Sequence, residues 1–311
     1  MSDARAERII AAPEAAALVR DGMVVGLSGF SYQNPPMALV REVARRRVRD
    51  LTLVSGPTSG LETDLLIGAG CVRRVVTACV AFERVLAIAP AFRQAAERGD
   101  LAVWECDECI WHLALKAGAW GMPHLLWRGG VGSSLPELND DLEEVEVEGR
   151  RYVKVPPIRP DVVFVHAAEA DAYGNVRLPR EAYLGRSFAE RALALACRGP
   201  VVASVERIVP NEEVTDDPAR TLLRGAQVVV APWGAHPGGT TGRYVPDLDH
   251  YRDYAAAGEA RRKGDPVAYQ GYLERTVYGP QDHDDYLKTV GRDRLAALRL
   301  RTHRDGGGGR G

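Results

Sequence analysis

Cysteine is scarce in this chain, with five among 311 residues. An odd number in so long a chain excludes a fold framed by disulfides and predicts a reducing, cytoplasmic setting. An excess of either charge is lacking too. A formal net charge of −2 is too little positive charge to neutralise a phosphate backbone, so no nucleic-acid partner is expected. The run Arg45-Arg46-Arg47 then reads as the solvated face of a helix. No uncharged apolar run approaches the roughly 20 residues that a bilayer span requires. The polar start, Met1-Ser2-Asp3-Ala4-Arg5, has no signal-peptide core, and no membrane partner is expected.

Several catalytic motifs are absent as well. No Gly-Lys-Ser/Thr follows the glycines at 129–132, which excludes a P-loop. Gly26-x-x-Gly29 is not followed by a dinucleotide fingerprint. There is no Gly-x-Ser-x-Gly elbow, so Ser-His-Asp hydrolysis has no support. Cys106-Asp107-Glu108-Cys109, with His112 behind it, is a C-x-x-C without a second pair. It reads as small side chains at a helix start, and no metal is expected.

What is present is a soluble composition, 46% apolar and 26% charged, long enough to bury a sizeable core. Apolar, β-branched runs alternate with helical periodicity. Strands are predicted at 23–27, 51–55, 72–78, 101–105, 201–205 and 227–231. Helices are expected over 3–20, from Pro36, from 60 to Gly68, over 82–97 with Pro90 inside, from 107 to 116, and near 181–197. Residues 137–151 are acidic and read as an exposed excursion or hairpin. The pattern predicts an α/β fold: an open, largely parallel, doubly wound sheet with helices on both faces, plus a C-terminal helical arm. The expected organisation is one body over 1–255, an arm over 256–303, and a disordered Gly-rich tail over 304–311.

The organising stretch is Asp161-Val162-Val163-Phe164-Val165-His166, which runs on through Glu169 and Asp171 to Tyr173-Gly174-Asn175. Its apolar start is the mark of a buried strand, and Tyr-Gly-Asn is a turn signal. His166, Glu169 and Asp171 then fall at the strand's C-terminal edge, where open α/β sheets bind ligands. The strand-end loops are expected to converge on one cleft. Glu105 ends a strand directly before a helix, a place for a catalytic carboxylate or, alternatively, for a charge that favours the helix dipole. The Ser28-Gly29-Phe30 and Gly129-to-Ser134 loops offer N–H groups to an oxyanion, or are merely turns. His166 is either a site histidine or a hydrogen-bonded core histidine, and His236 shares that ambiguity.

Taken in order, these motifs resemble family I coenzyme A transferases. The resemblance rests on Gly26-Leu-Ser-Gly-Phe30 with Pro35-Pro36, the strand ending at Glu105, and the Gly129–Ser134 loop. It also rests on His166-x-x-x-Ala170-Asp171-x-x-Gly174-Asn175, Val205-Glu206-Arg-Ile-Val209, and Ala231-Pro-x-Gly-Ala-His236-Pro. The chain is similar to the α (or A-type) chain of glutaconate CoA-transferases. It is also similar to the corresponding chain of actinobacterial hydrolases that open steroid rings as CoA thioesters. The resemblance implies a B subunit, in a heterodimer or heterotetramer, whose glutamate attacks the acyl-CoA. The chain has no Ser-Glu-Asn-Gly, the motif that carries that glutamate in many B halves. Coenzyme A is implied as substrate, with no permanently bound cofactor, alongside acyl-CoA and carboxylic acid substrates. The resemblance points to Glu105 as the catalytic carboxylate. Ser28, Gly29, Phe30, Gly129, Gly130, Gly132 and Ser133 would line the acyl and thioester region. His166, Asp171 and Asn175 would hold the strand-end loop. Hydrolytic ring opening through Glu105 is the alternative, and a non-catalytic scaffold role is a second one.

Overall fold

Seven parallel strands form the centre of the molecule, a computed structural model that describes residues 6–178 and 188–300. They are β1 (Val24–Leu27), β2 (Leu51–Ser55), β3 (Val72–Val76), β4 (Ala102–Trp104), β5 (Val162–Ala170), β6 (Val201–Ile208) and β7 (Gln227–Val230). Their spatial order is β4–β3–β2–β1–β5–β6–β7. The chain starts in the middle, winds out to one edge, returns, and winds out to the other. The reversal falls between β1 and β5. All nine residues of β5 are buried, which is why this strand reads as a continuous apolar run rather than an alternating one.

Helices cover both faces. On one lie Ala12–Ala17, Met37–Arg45, Leu61–Gly68, Pro90–Arg98 and the helices beyond Leu248; on the other, Glu108–Trp120 and Phe188–Ala196. Met37, Leu39, Val40 and Val43 are at most 1% exposed, and burial stabilises each by roughly 1.5–3 kcal/mol. The expected doubly wound α/β fold is the one observed.

The helix Leu248–Arg262 runs through position 255 and is tied to the body by polar contacts. Tyr254 donates to Asp64 Oδ2 at 2.8 Å. The fully buried Arg41 donates to His236 O at 3.0 Å, contacts His283 Nδ1 at 3.1 Å, and stacks 3.6 Å from the Tyr286 ring centroid. Among the described residues no helix is long and apolar enough to cross a membrane. The tail at 304–311 lies outside the described residues.

Local differences from the sequence pattern have physical causes. The Ala-rich start is helical only over Ala12–Ala17; Ile10 N donates to Val228 O at 2.9 Å, so the open edge of β7 outweighs helix propensity there. Pro90 does not interrupt a helix but opens one, Pro90–Arg98, because its missing N–H is no loss in a first turn. The acidic stretch is a hairpin, Glu143–Val147 with Arg150–Val155, turning at Glu148 (φ 51°) and Gly149 (φ 73°). Strand Leu125–Trp127 joins it in a separate antiparallel sheet. Residues 181–187 of the expected helix lie outside the described residues; its described part is Phe188–Ala196.

Candidate functional site

Ser28 follows β1 at the reversal point. Its N–H donates to Phe164 O at 2.9 Å, and its Oγ accepts the His166 N–H at 3.3 Å. Ser28 Oγ also donates to Asn34 O at 3.4 Å, so this buried hydroxyl braces the turn from within. Gly29 has φ 130°, while Ser31 and Asn34 are left-handed at 55° and 53°. Left-handed non-glycine residues cost on the order of 1–3 kcal/mol and persist only when their surroundings over-determine them. Here Ser31 N donates to Thr58 O at 2.7 Å and Asn34 N to Gly239 O at 2.8 Å. Thr241 N donates to Asn34 Oδ1 at 3.0 Å. Of Ser28, Gly29 and Phe30, only Phe30 is exposed, at 36%.

His166 is 1% exposed and fully engaged. Its Nδ1 lies 2.9 Å from Ser204 Oγ; its Nε2 lies 3.0 Å from Glu206 Oε1 and 2.9 Å from Thr240 Oγ1. Glu206 also accepts from Trp233 N at 2.8 Å and Tyr244 Oη at 3.0 Å. Burial alone would raise the Glu206 carboxyl, but the hydrogen bond and charge of His166, with these donors, hold it below the usual range. This is a closed network that orients the loop ends.

Farther along β5, Glu169 is gripped by arginines. Arg177 Nε is 2.6 Å from Oε2, Arg207 Nη2 is 2.5 Å from Oε1, and Arg243 bonds the same Oε1. Burial works to raise this carboxyl, and the guanidiniums of Arg207 and Arg177 outweigh it and lower it. Asp171 accepts the N–H groups of Tyr173 and Asn175, both at 2.9 Å, and the side-chain amides of Asn175 and Asn211, both at 2.6 Å. These bonds close the turn at Gly174, where an added Cβ would lie 2.1 Å from Ala226 O.

Beside His166 a small cavity is lined by Asn34, Arg177, Glu190 and Thr241 among others. Glu190 is 3% exposed, and its Oε2 has no hydrogen-bond partner among the described residues. Burial pushes its carboxyl up to about 7.

Glu105 stands elsewhere. It follows β4 at the sheet's edge, four strand spacings from β5 or roughly 19 Å at about 4.8 Å each. Its backbone O accepts from Asn139 Nδ2 at 2.8 Å. Its half-buried carboxylate makes no hydrogen bond or ion pair with a described residue. The helix after it is capped instead by Asp107, whose Oδ1 accepts from Ile110 N at 2.6 Å. The Gly129–Ser134 loop packs on this same edge: a Cβ on Gly130 would meet Val153 at 3.0 Å and Ile110 at 3.5 Å. The Gly132 N–H is committed to Glu144 Oε1 at 2.9 Å, and Ser133 Oγ to Gly130 O at 2.7 Å.

Strand order thus groups Ser28, Gly29, Phe30 and His166 at the reversal point and Glu105 with Gly129, Gly130, Gly132 and Ser133 at the edge, three to four strand spacings apart, roughly 14–19 Å at about 4.8 Å each. Sequence reasoning missed Ser204, Glu206, Thr240 and Glu190. A signal existed for two of these, because Ser204 and Glu206 are polar residues two apart in an apolar strand and so on one face, with Ser204 in register with His166.

His236, Asp247 and His250 bring three candidate ligand atoms within 4.8 Å of one another, but these atoms are already partnered. His236 Nδ1 meets Tyr286 Oη at 2.7 Å, His250 Nε2 meets Tyr272 Oη at 2.8 Å, and Arg294 donates to both Asp247 oxygens at 2.5 and 2.8 Å.

Comparison with known proteins places this geometry. The profile of the coenzyme A transferase family matches residues 9–225. The A-type chain of glutaconate CoA-transferase from Acidaminococcus fermentans is 28% identical over 91% of both chains. The crystal structure of that transferase superposes with a TM-score of 0.86 at 26% identity, covering 94% of this chain and 96% of that one. The IpdA subunit of the cholesterol ring-cleaving hydrolase of Mycobacterium tuberculosis is 32% identical over 89% of this chain and 94% of its own. A longer protein of Archaeoglobus fulgidus is 29% identical, and the chain spans 65% of its length.

Proposed function

Because the chain belongs to the coenzyme A transferase family, we propose that it is the α-type chain of an enzyme that moves coenzyme A between carboxylic acids together with a B subunit. The observation that carries this reading is the preformed Ser28–Gly29–Phe30 turn, hydrogen-bonded to His166 at the sheet's reversal point. Open α/β sheets bind ligands at that place. Coenzyme A enters as substrate, and no resident cofactor is required.

The chemistry follows from the groups at hand. A carboxylate oxygen attacks the thioester carbonyl carbon, the C–S bond breaks, and coenzyme A leaves as the thiolate. The acyl-carboxylate anhydride that forms keeps the thioester's free energy. The thiolate attacks its enzyme-side carbonyl and expels the first acid as its carboxylate, leaving an enzyme–CoA thioester. A second carboxylate then runs the same two steps in reverse, taking up coenzyme A and freeing the enzyme's carboxylate. The N–H groups of Ser28, Phe30 and Ser31 are committed to Phe164 O, Gln33 O and Thr58 O, so the Gly29 N–H is the donor this turn offers to the oxyanion of each tetrahedral intermediate. The attacking carboxylate belongs to the B subunit, because this chain lacks Ser-Glu-Asn-Gly. The two chains share the cleft in a heterodimer or heterotetramer, in the cytoplasm. In this chain the body to residue 255 carries the site, and the arm beyond it, helical to Leu298 in its described part, braces it.

Glu105 supports a second reading. Its unengaged carboxylate at a strand end, with the similarity to the ring-cleaving hydrolase, favours a base that directs water at a CoA thioester. Native mass spectrometry of the tagged chain recovered from its own cells tests the two-chain reading. A second chain carrying a transferase-type glutamate supports transfer; a partner without it shifts the reading to Glu105 and hydrolysis; recovery of this chain alone overturns both.

A further inference from the structure

Three buried side-chain atoms under the Ser28–Phe30 turn have no hydrogen-bond partner among the described residues: Ser31 Oγ, Glu62 Oε2 and Tyr251 Oη. Buried polar atoms are rarely left so, and three around one turn mark a site with a purpose beyond packing. Glu62, fully buried, is the second residue of the helix Leu61–Gly68. Its Oε1 accepts the Gly60 N–H at 2.7 Å. A Cβ on Gly29 would lie 3.4 Å from the Glu62 carboxyl carbon and Oε1; one on Gly60 would lie 3.3 Å from Oε2 and 2.5 Å from Ser31 O. The carboxyl therefore fills the space between the Gly29 and Gly60 backbones, and the Gly60 backbone in turn abuts Ser31 O.

We propose that Glu62 is a positioning residue whose carboxyl braces the Ser28–Gly29–Phe30 turn in the geometry that admits the thioester, acting through the turn and not on the substrate. This rests on the reading above that the turn lines the thioester site. The groups facing Glu62 offer no cation. They are Asp64 on its own helix and, from the helix Leu248–Arg262, Tyr251, whose ring packs edge-on against Tyr32. Asp64 is itself occupied by the N–H groups of Ala91 and Phe92 and by Tyr254. Burial pushes the Glu62 carboxyl up to about 7, with the Asp64 charge adding to the effect. Below that value the acid is neutral and fits its pocket. Above it, a buried charge with no cation beside it and Oε2 unpartnered forces the turn to open.

The test compares wild type, Glu62→Gln and Glu62→Ala, each as the full chain assembled with its partner chain, over the range from about pH 5.5 to about 8.5. Two readouts are used: the KM for acyl-CoA against kcat, and amide hydrogen exchange of residues 28–31. In wild type, KM is expected to rise about tenfold as pH crosses about 7, with kcat little changed and turn amides losing protection in parallel. Glu62→Gln, a neutral isostere, keeps the low-pH KM and protection throughout; Glu62→Ala shows the high-pH values throughout. Equal pH dependence in wild type and Glu62→Gln overturns the proposal, and so does wild-type behaviour in Glu62→Ala. If wild type transfers no coenzyme A, the transferase reading fails, and hydrogen exchange alone decides on Glu62. If Glu62→Ala does not fold, the comparison of wild type with Glu62→Gln decides.

Discussion

Ser28 directly follows β1, His166 lies midway along the adjacent parallel β5, and the His166 N–H donates to Ser28 Oγ at 3.3 Å. That bond fastens the turn after β1 to the strand that carries the polar network, so a shift in either is felt at the other. The site is built as much by backbone contacts of this kind as by titratable side chains.

Glu105 is the opposite case, a carboxylate that nothing among the described residues uses. Glu105→Ala in the assembled enzyme is expected to lower kcat/KM by more than about tenfold, at least about 1.4 kcal/mol of transition-state stabilisation. The thermal midpoint should stay close to that of wild type, because no side-chain hydrogen bond or ion pair with a described residue is lost. Unchanged turnover would remove Glu105 from the chemistry and leave the B-subunit carboxylate as the reacting group.

Gly56 lies across from the turn: a Cβ there would sit 2.1 Å from Gly29 O. Gly56→Ala must displace the Gly29 carbonyl, and overpacking of this kind costs about 1–3 kcal/mol. A denaturation midpoint lowered to match and an activity loss of at least about tenfold are expected, though Gly56 carries no chemistry. Wild-type turnover in a stably folded Gly56→Ala enzyme would show that the turn's geometry is not critical.

Glu169 anchors Arg177 and Arg207, with Arg243 on the same carboxylate. Glu169→Ala leaves the buried Arg177 without that carboxylate, a loss on the order of 3 kcal/mol. Urea titration should show a lower midpoint at unchanged slope. A midpoint within experimental error of wild type would mean that Glu213 alone satisfies Arg177.

The Glu190 carboxyl is raised from 4.5 to about 7 by burial. The fold therefore favours its neutral form, and the stabilisation is complete below about pH 4.5. It declines as pH rises toward about 7 and is lost above that. Asp171 and Glu206 are held low and act in the opposite sense, losing their contribution on acidification. Urea stability of wild type minus that of Glu190→Gln isolates the first effect. The difference should fall across this window and then level off; a flat difference would mean that Glu190 does not titrate there.

Much of the fold was legible in the sequence. Short uninterrupted Val-rich runs such as 162–165 read as strands buried on both faces because they are β-branched and bounded by turn signals. Their alternation with helices points to the winding. The turn at Tyr173-Gly174-Asn175 was readable because Asp171 and Asn175 close it locally. The parts that were not legible depend on partners far away in the chain. Residues 8–10 lie extended because β7 offers an open edge, which an Ala-rich composition does not announce. Glu62 and Glu190 look like ordinary helix-surface acids, and only the packing of distant elements buries them. The separation of Glu105 from His166 follows from strand order, which no local motif encodes.

The central claim is tested most directly by following coenzyme A itself. The chain, alone and with its co-purified partner chain, is given an acyl-CoA and isotopically labelled acetate. The account predicts labelled acetyl-CoA only when both chains are present, without free coenzyme A accumulating. Release of free coenzyme A with no labelled thioester would contradict it and assign the enzyme to hydrolysis.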